Sequence, residues 1–151
     1  MNGKQRIVAA LNLQPVDRTP VWFMRQAGRH LPEYRKIAAE HNFWERCMDV
    51  DLCKTITLQP LERYQKIDAA IIFSDILTPL PSLGYDVEYG GGIRISDFNL
   101  DDVDDWINFS ARKHAPWAAD GLQAVGEEIG DTTARLGFVG SPWTICMYLL
   151  S

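Results

Sequence analysis

Apolar residues fall into two textures along this chain. In one they recur at helical spacing with polar residues between them; in the other they run without interruption and stop abruptly at a polar residue. The helical texture predicts helices over about residues 3–13, over Pro32–Glu40 and over Asp49–Tyr64, where Val50, Cys53, Thr57, Leu58 and Leu61 share a face. It also predicts a short helix over Asn42–Cys47, a long one over Arg112–Ile129, and one opened by Pro142 and Thr144 that covers Trp143–Leu150. The continuous texture predicts strands at Thr19–Met24, Asp68–Asp75 and Ala134–Gly140, the runs expected of strands covered on both faces. Two further short strands, Tyr85–Tyr89 and Ile93–Ile95, flank Gly90-Gly91-Gly92 as a hairpin. The segment Thr78 to Gly84 is turn-rich, and the acidic cluster Asp101 to Asp105 lacks calcium-loop spacing and reads as a solvated helix start.

Strands alternating with helices predict an α/β protein with parallel strands and helical crossovers. Periodicity alone permits either an open doubly wound sheet or part of a (β/α)8 barrel. A whole barrel takes roughly 250 residues, so three barrel strands in 151 residues make residues 1–151 the N-terminal portion of such a fold, incomplete at this length. An open barrel leaves apolar strand faces uncovered, and Ile71, Ile72, Phe73 and Phe138 are the residues expected to be at risk.

A net charge of −5 excludes a general nucleic-acid surface, which needs clustered Lys and Arg. No apolar run reaches membrane-spanning length, and the polar N-terminus does not read as a signal peptide. Cys47, Cys53 and Cys146 are odd in number and lack CxxC spacing, so reduced, packed thiols in the cytoplasm are expected. His30, His41 and His114 form no metal-binding pattern, and no metal is expected.

Chemistry concentrates where the strands stop. Val21 to Met24 ends at Arg25, and Gln26, Ala27 and Gly28 separate it from Arg29 before Pro32 and Glu33 open a helix. Two guanidinium forks at a strand end suit a partner with several carboxylates or phosphates, and Gly28 lets the backbone come close. Read alone, they equally describe surface arginines paired with nearby acids. Asp75 closes the second strand, as a turn acid or as a carboxylate at the mouth of an apolar cavity. Tyr148 follows the third strand, as a packing residue with a polar tip or as a ligand contact.

The run Pro20-Val21-Trp22-Phe23-Met24-Arg25-Gln26-Ala27-Gly28-Arg29-His30-Leu31-Pro32-Glu33-Tyr34-Arg35 resembles the signature of the uroporphyrinogen decarboxylase family. So do Ile71-Ile72-Phe73-Ser74-Asp75-Ile76-Leu77 and Gly137-Phe138-Val139-Gly140-Ser141-Pro142-Trp143-Thr144-Ile145-Cys146-Met147-Tyr148. The resemblance implies a (β/α)8 barrel, a homodimer and removal of carbon dioxide from the four acetate arms of uroporphyrinogen III to give coproporphyrinogen III. It implies that Arg25, Gln26, Ala27, Gly28, Arg29, Asp75 and Tyr148 bind this tetrapyrrole, with Asp75 accepting from the pyrrole N–H groups. Decarboxylation needs an electron sink, often a cofactor. A pyrrole protonated on ring carbon supplies its own, so no cofactor is expected and Asp75 would stabilise the cation. Arginine is a poor acid because its pKa is above ~12, and the proton donor stays unassigned. The family continues Tyr-x-x-Glu-Gly where Ser151 stands here. The alternatives are a zinc-dependent corrinoid methyltransferase of the same fold and an inactive tetrapyrrole-binding fragment.

Overall fold

The computed structural model describes residues 1–24, 26–99, 101 and 103–150, and at Asp105 the backbone alone. Helix α1 (Gly3–Leu11) is opened by a capping box: the Asn2 side chain accepts from Gln5 N–H while the Gln5 side chain accepts from Asn2 N–H. It stops short of the expected residue 13, because Leu13 adopts φ +56°. Helix α2 (Pro32–Glu40) begins at its proline. Helix α3 (Phe43–Met48) repeats the capping box with Asn42 and Glu45, and α4 (Val50–Arg63) is capped by Asp49. Strand β1 (Ala69–Ile71), α5 (Pro79–Ser82) and the hairpin β2 (Val87–Tyr89) and β3 (Ile93–Ile95) follow. Then come α6 (Val103–Trp106), α7 (Ala111–His114), α8 (Pro116–Ile129), β4 (Ala134–Leu136) and α9 (Pro142–Leu149).

The architecture is mixed α/β. Strands β1 and β4 pair in parallel, Ala69 opposite Ala134 and Ile71 opposite Leu136, with the long crossover between them. The hairpin forms as expected, Tyr89 opposite Ile93. Helices α4 and α8 pack on each other beside the parallel pair. They approach closely at Gly121, where a Cβ would lie 3.0 Å from Cys53 Sγ and 3.4 Å from Ile72 Cδ1.

Four expectations need correction. Thr19–Met24 is not a ladder strand among the described residues. Its one main-chain bond to β1's lead-in runs from Asp68 N–H to Val21 O, 2.8 Å. Pro20 has no N–H, and the Val21 N–H goes to the Asp68 carboxylate instead of a neighbouring strand. The other two parallel strands are shorter than their apolar runs. The Arg112–Ile129 helix breaks at Ala115, which turns to φ −136° ahead of Pro116. Finally, Ile72 is buried and Ile71 and Phe73 are half-buried, so of the four apolar residues expected at risk only Phe138 is exposed. Large apolar side chains are exposed instead at Phe23, Met24, Val139, Trp143 and Met147, and at Tyr89 and Ile93 of the hairpin. Turn-rich Thr78–Gly84 contains the single-turn α5, and Asp101 and Asp104 are solvated at the start of α6 as expected. Asp102 lies outside the described residues.

Candidate active site

The two ends of β1 carry opposite arrangements of charge. At its N-terminal end Asp68 is 2% exposed and accepts from three directions. Arg18 grips it with a fork, 2.7 and 2.8 Å, Arg6 reaches it at 2.5 Å, and Val21 N–H donates at 2.7 Å. Arg6 turns its remaining donors to Asp17 at 2.6 and 2.8 Å. Burial alone would raise the Asp68 carboxyl pKa, but the Val21 N–H and the Arg18 and Arg6 guanidinium groups outweigh it and hold it below the carboxylate range. Gly3 makes the approach possible, since a Cβ there would sit 2.6 Å from Asp68 O. Sequence reasoning missed this network; the signal was a charged residue at the head of a doubly covered strand.

At the C-terminal end, the chain leaves β1 through Phe73 and Ser74 to Asp75. Thr57 steadies this exit: its Oγ1 accepts from Phe73 N–H at 2.9 Å and donates to Cys53 O at 2.7 Å. Asp75 is half-buried and folds back in a tight turn, one oxygen accepting from Leu77 N–H at 2.7 Å. Tyr148 on α9 is half-buried against Leu77, Leu80, Tyr85 and Val87. The β4–α9 connection lies against the same turn, for a Cβ on Gly140 would be 2.7 Å from Ile76 O. A third polar group is Tyr89, at the end of β2. Its ring is partly exposed, and desolvation of the phenol followed by the nearby Asp75 carboxylate raises its pKa. The sequence reading did not single out Tyr89, because a tyrosine at a hairpin tip has no motif.

The Gln26–Arg29 loop runs beside β1: Gln26 reaches Ala69 at its start, and the neighbouring His30 stacks on Tyr64 of the strand's lead-in, centroids 6.3 Å apart. Ala27 and Leu31 share a cluster with Tyr34, Ile56 and Phe73, and Phe73 is two residues from Asp75. Arg25 itself lies outside the described residues. Arg29 is exposed, and no carboxylate among the described residues pairs with it. Gly28 adopts φ +156°, and its carbonyl accepts from Leu31 N–H. Gln26 is buried: its amide donates to Ala69 O at 3.1 Å and accepts from Phe23 N–H at 3.2 Å. Those bonds tie the loop to β1, so Gln26 shapes the loop and its side chain is largely occupied. Arg46, also missed, is buried with its guanidinium over the Tyr34, Phe43 and Phe73 rings at 5.2 to 5.8 Å.

Cys47 and Cys53 are buried thiols; burial pushes Cys53 up to about 11 and Cys47 further. Cys146 is exposed on α9, against the expectation of three packed thiols. No three His, Cys, Asp or Glu residues among the described ones group as metal ligands would. No described helix is long and apolar enough to cross a membrane. A cavity of about 450 Å³ lies over Tyr85, Asp97 and Trp106, and one of about 530 Å³ is lined by Phe23, Gln26, His30 and Tyr64, at the loop itself.

Two parallel strands with helices packed beside them define a mixed α/β protein. The sequence specifies which: the family model described as Uroporphyrinogen decarboxylase (URO-D) matches residues 2–151, and the chain belongs to that family. It is 41% identical over 150 residues to a protein named uroporphyrinogen decarboxylase from Pseudomonas paraeruginosa (strain PA7), covering 96% of this chain and 42% of the relative. The protein of that name from Chromohalobacter salexigens is 41% identical over 151 residues, with the same coverage. The one from Magnetococcus marinus is 36% identical over 159 residues, covering 99% of this chain and 43% of the relative. The chain thus spans less than half the length of these relatives.

Proposed function

We propose that residues 1–151 form the N-terminal portion of a uroporphyrinogen decarboxylase with a (β/α)8 barrel, and that the completed protein converts uroporphyrinogen III to coproporphyrinogen III. The observation that carries the reading is the family match running from residue 2 to residue 151. Asp75 is the acceptor for the pyrrole N–H groups and the anion opposite the cation that forms when a ring carbon is protonated. That cation is the electron sink for carbon dioxide loss. Arg25 and Arg29 clamp the carboxylate arms, Gly28 and Ala27 let the loop approach them, Gln26 holds the loop, and Tyr148 completes the wall. The unpaired Arg29 supports the clamp, since its positive charge awaits a partner.

The same reading makes the completed enzyme a cytoplasmic homodimer; free cysteines and the net charge of −5 agree with a reducing compartment and no nucleic-acid partner. The test is to extend the chain with the C-terminal part of the Pseudomonas paraeruginosa relative. Coproporphyrinogen formed from uroporphyrinogen III without added pyridoxal phosphate, thiamine or zinc is the expected result. Absence of product from a folded, extended chain overturns the reading.

A further inference from the structure

Arg46 carries a buried charge that the protein leaves without an anion. It lies on α3 and is 8% exposed. Its guanidinium sits over the rings of Tyr34, Phe43 and Phe73, 5.2, 5.7 and 5.8 Å from their centroids. Nε donates to Asn42 O at 3.0 Å, and Nη1 donates to the Tyr34 hydroxyl. No carboxylate among the described residues pairs with it. Nη2 has no hydrogen-bond partner among those residues, yet it is not sealed from solvent. Aromatic faces offset part of the cost of burying a cation, but a buried charge without an anion stays costly. Arg6, the other buried cation among the described residues, meets that cost with two carboxylates.

The isolated charge stands beside the candidate site. Tyr34 belongs to α2, which begins at Pro32, just after Arg29. Phe73 comes shortly before Asp75, and its ring also meets Tyr34 at 5.8 Å and Phe43 at 5.9 Å. Arg46 is therefore packed between the helix that continues the Arg29 loop and the exit of β1. We propose that Arg46 is a ligand-binding residue, taking one carboxylate of a polycarboxylate ligand on its free Nη2 edge. The rings around it exclude water, so a carboxylate arriving there meets a weakly screened charge. Two of its three nitrogens are already tied down, so little side-chain freedom is lost when the third bonds. The inference rests on the carboxylate-bearing ligand proposed above and adds a residue outside the three sequence motifs.

The test uses the chain completed to the length of its relatives. The binding probe is uroporphyrin III, the oxidised ring that carries the same carboxylate arms. Arg46→Met keeps an unbranched stem among the rings and removes the charge. It should weaken uroporphyrin binding about tenfold, the loss of one hydrogen bond between charged groups. KM for uroporphyrinogen III should rise by a similar factor with kcat little changed. Arg46→Lys, which keeps the charge without the fork, should bind with intermediate affinity. The urea midpoint of ligand-free Arg46→Met should stay near that of the unmodified chain, because an apolar replacement of an unpaired buried charge is tolerated. One readout needs no variant to fold: the ¹⁵Nη resonances of Arg46 in the unmodified chain should shift when uroporphyrin is added. Resonances that stay in place overturn the proposal. So does a large loss of stability with uroporphyrin affinity kept, which would assign Arg46 to an acid of the C-terminal part instead. A completed chain that binds no uroporphyrin and forms no coproporphyrinogen overturns the function proposed above together with this inference. One that binds uroporphyrin equally well after Arg46→Met overturns this inference alone.

Discussion

The two ends of β1 handle charge in opposite ways. At the N-terminal end the charges around Asp68 are paired: Asp68 is held by two arginines and a main-chain N–H, and Arg6 is shared with Asp17. At the C-terminal end Asp75 has no ionic partner among the described residues, and its carboxylate accepts from an uncharged donor, Leu77 N–H. A closed network stabilises the fold and has nothing left to offer a ligand. An end with unmatched charge stabilises little by itself and keeps its interaction energy for whatever binds. The contrast sets a closed ion-pair network against a carboxylate without an ionic partner among the described residues, within a few residues of one strand.

The comparison breaks most readily at Asp68. Asp68→Ala strands two guanidinium groups and a main-chain donor, and should cost about 3–5 kcal/mol of stability, read from urea unfolding. Asp75→Asn should leave that stability within about 1 kcal/mol, as expected for a half-buried group kept in shape. Its effect belongs to turnover instead: in the completed enzyme kcat should fall about 100-fold, the loss typical of removing one preorganised electrostatic partner of a transition state. A smaller effect is expected at Arg29. Arg29→Ala should raise KM about tenfold and change kcat little, because a clamp on remote carboxylates binds ground and transition states alike.

Acid sharpens the contrast further. Asp68 and Asp17 both have folded-state pKa values below their unfolded ones, Asp68 through the donors that outweigh its burial and Asp17 chiefly through its bond to Arg6. Their contribution is present in full above the unfolded carboxylate pKa of about 4 and is lost as pH falls below it. Unfolding midpoints measured from pH 7 to pH 2 should therefore decline below about pH 4, and Asp17→Asn should flatten part of that decline. The smallest effect is at the start of α1, where Asn2→Ala removes a cap and should cost about 1 kcal/mol.

The helix pattern was readable because its causes are local: capping boxes at Asn2 and Asn42, Asp49 at the head of α4, prolines opening α2 and α9. The hairpin was readable from its glycines. The strand runs were readable as apolar, but not as ladders. Whether Val21 pairs depends on Asp68, 47 residues away, taking its N–H. Asp75 and Tyr148 were singled out through motifs; Asp75 leads into the turn whose Leu77 and Leu80 pack against Tyr148. Tyr89 and the Arg6–Asp68–Arg18 network were not found, since each exists only through contacts between residues far apart in sequence. Gln26 was found by its motif, yet its bonds to Phe23 and Ala69 give it a backbone-holding part that no motif displays.

The close passage of α8 over α4 also decides how this molecule meets oxidants. Cys53 Sγ lies beneath Gly121 and donates to Phe73 O at 3.2 Å, so an oxygen atom added to that sulfur has no space to occupy. With its thiol held protonated, Cys53 is also a poor nucleophile toward peroxide. Cys146 is exposed to solvent. Peroxide or a maleimide should therefore modify the α9 cysteine alone while the fold is intact, and reaction at Cys53 becomes a chemical signal that α8 has lifted away from α4.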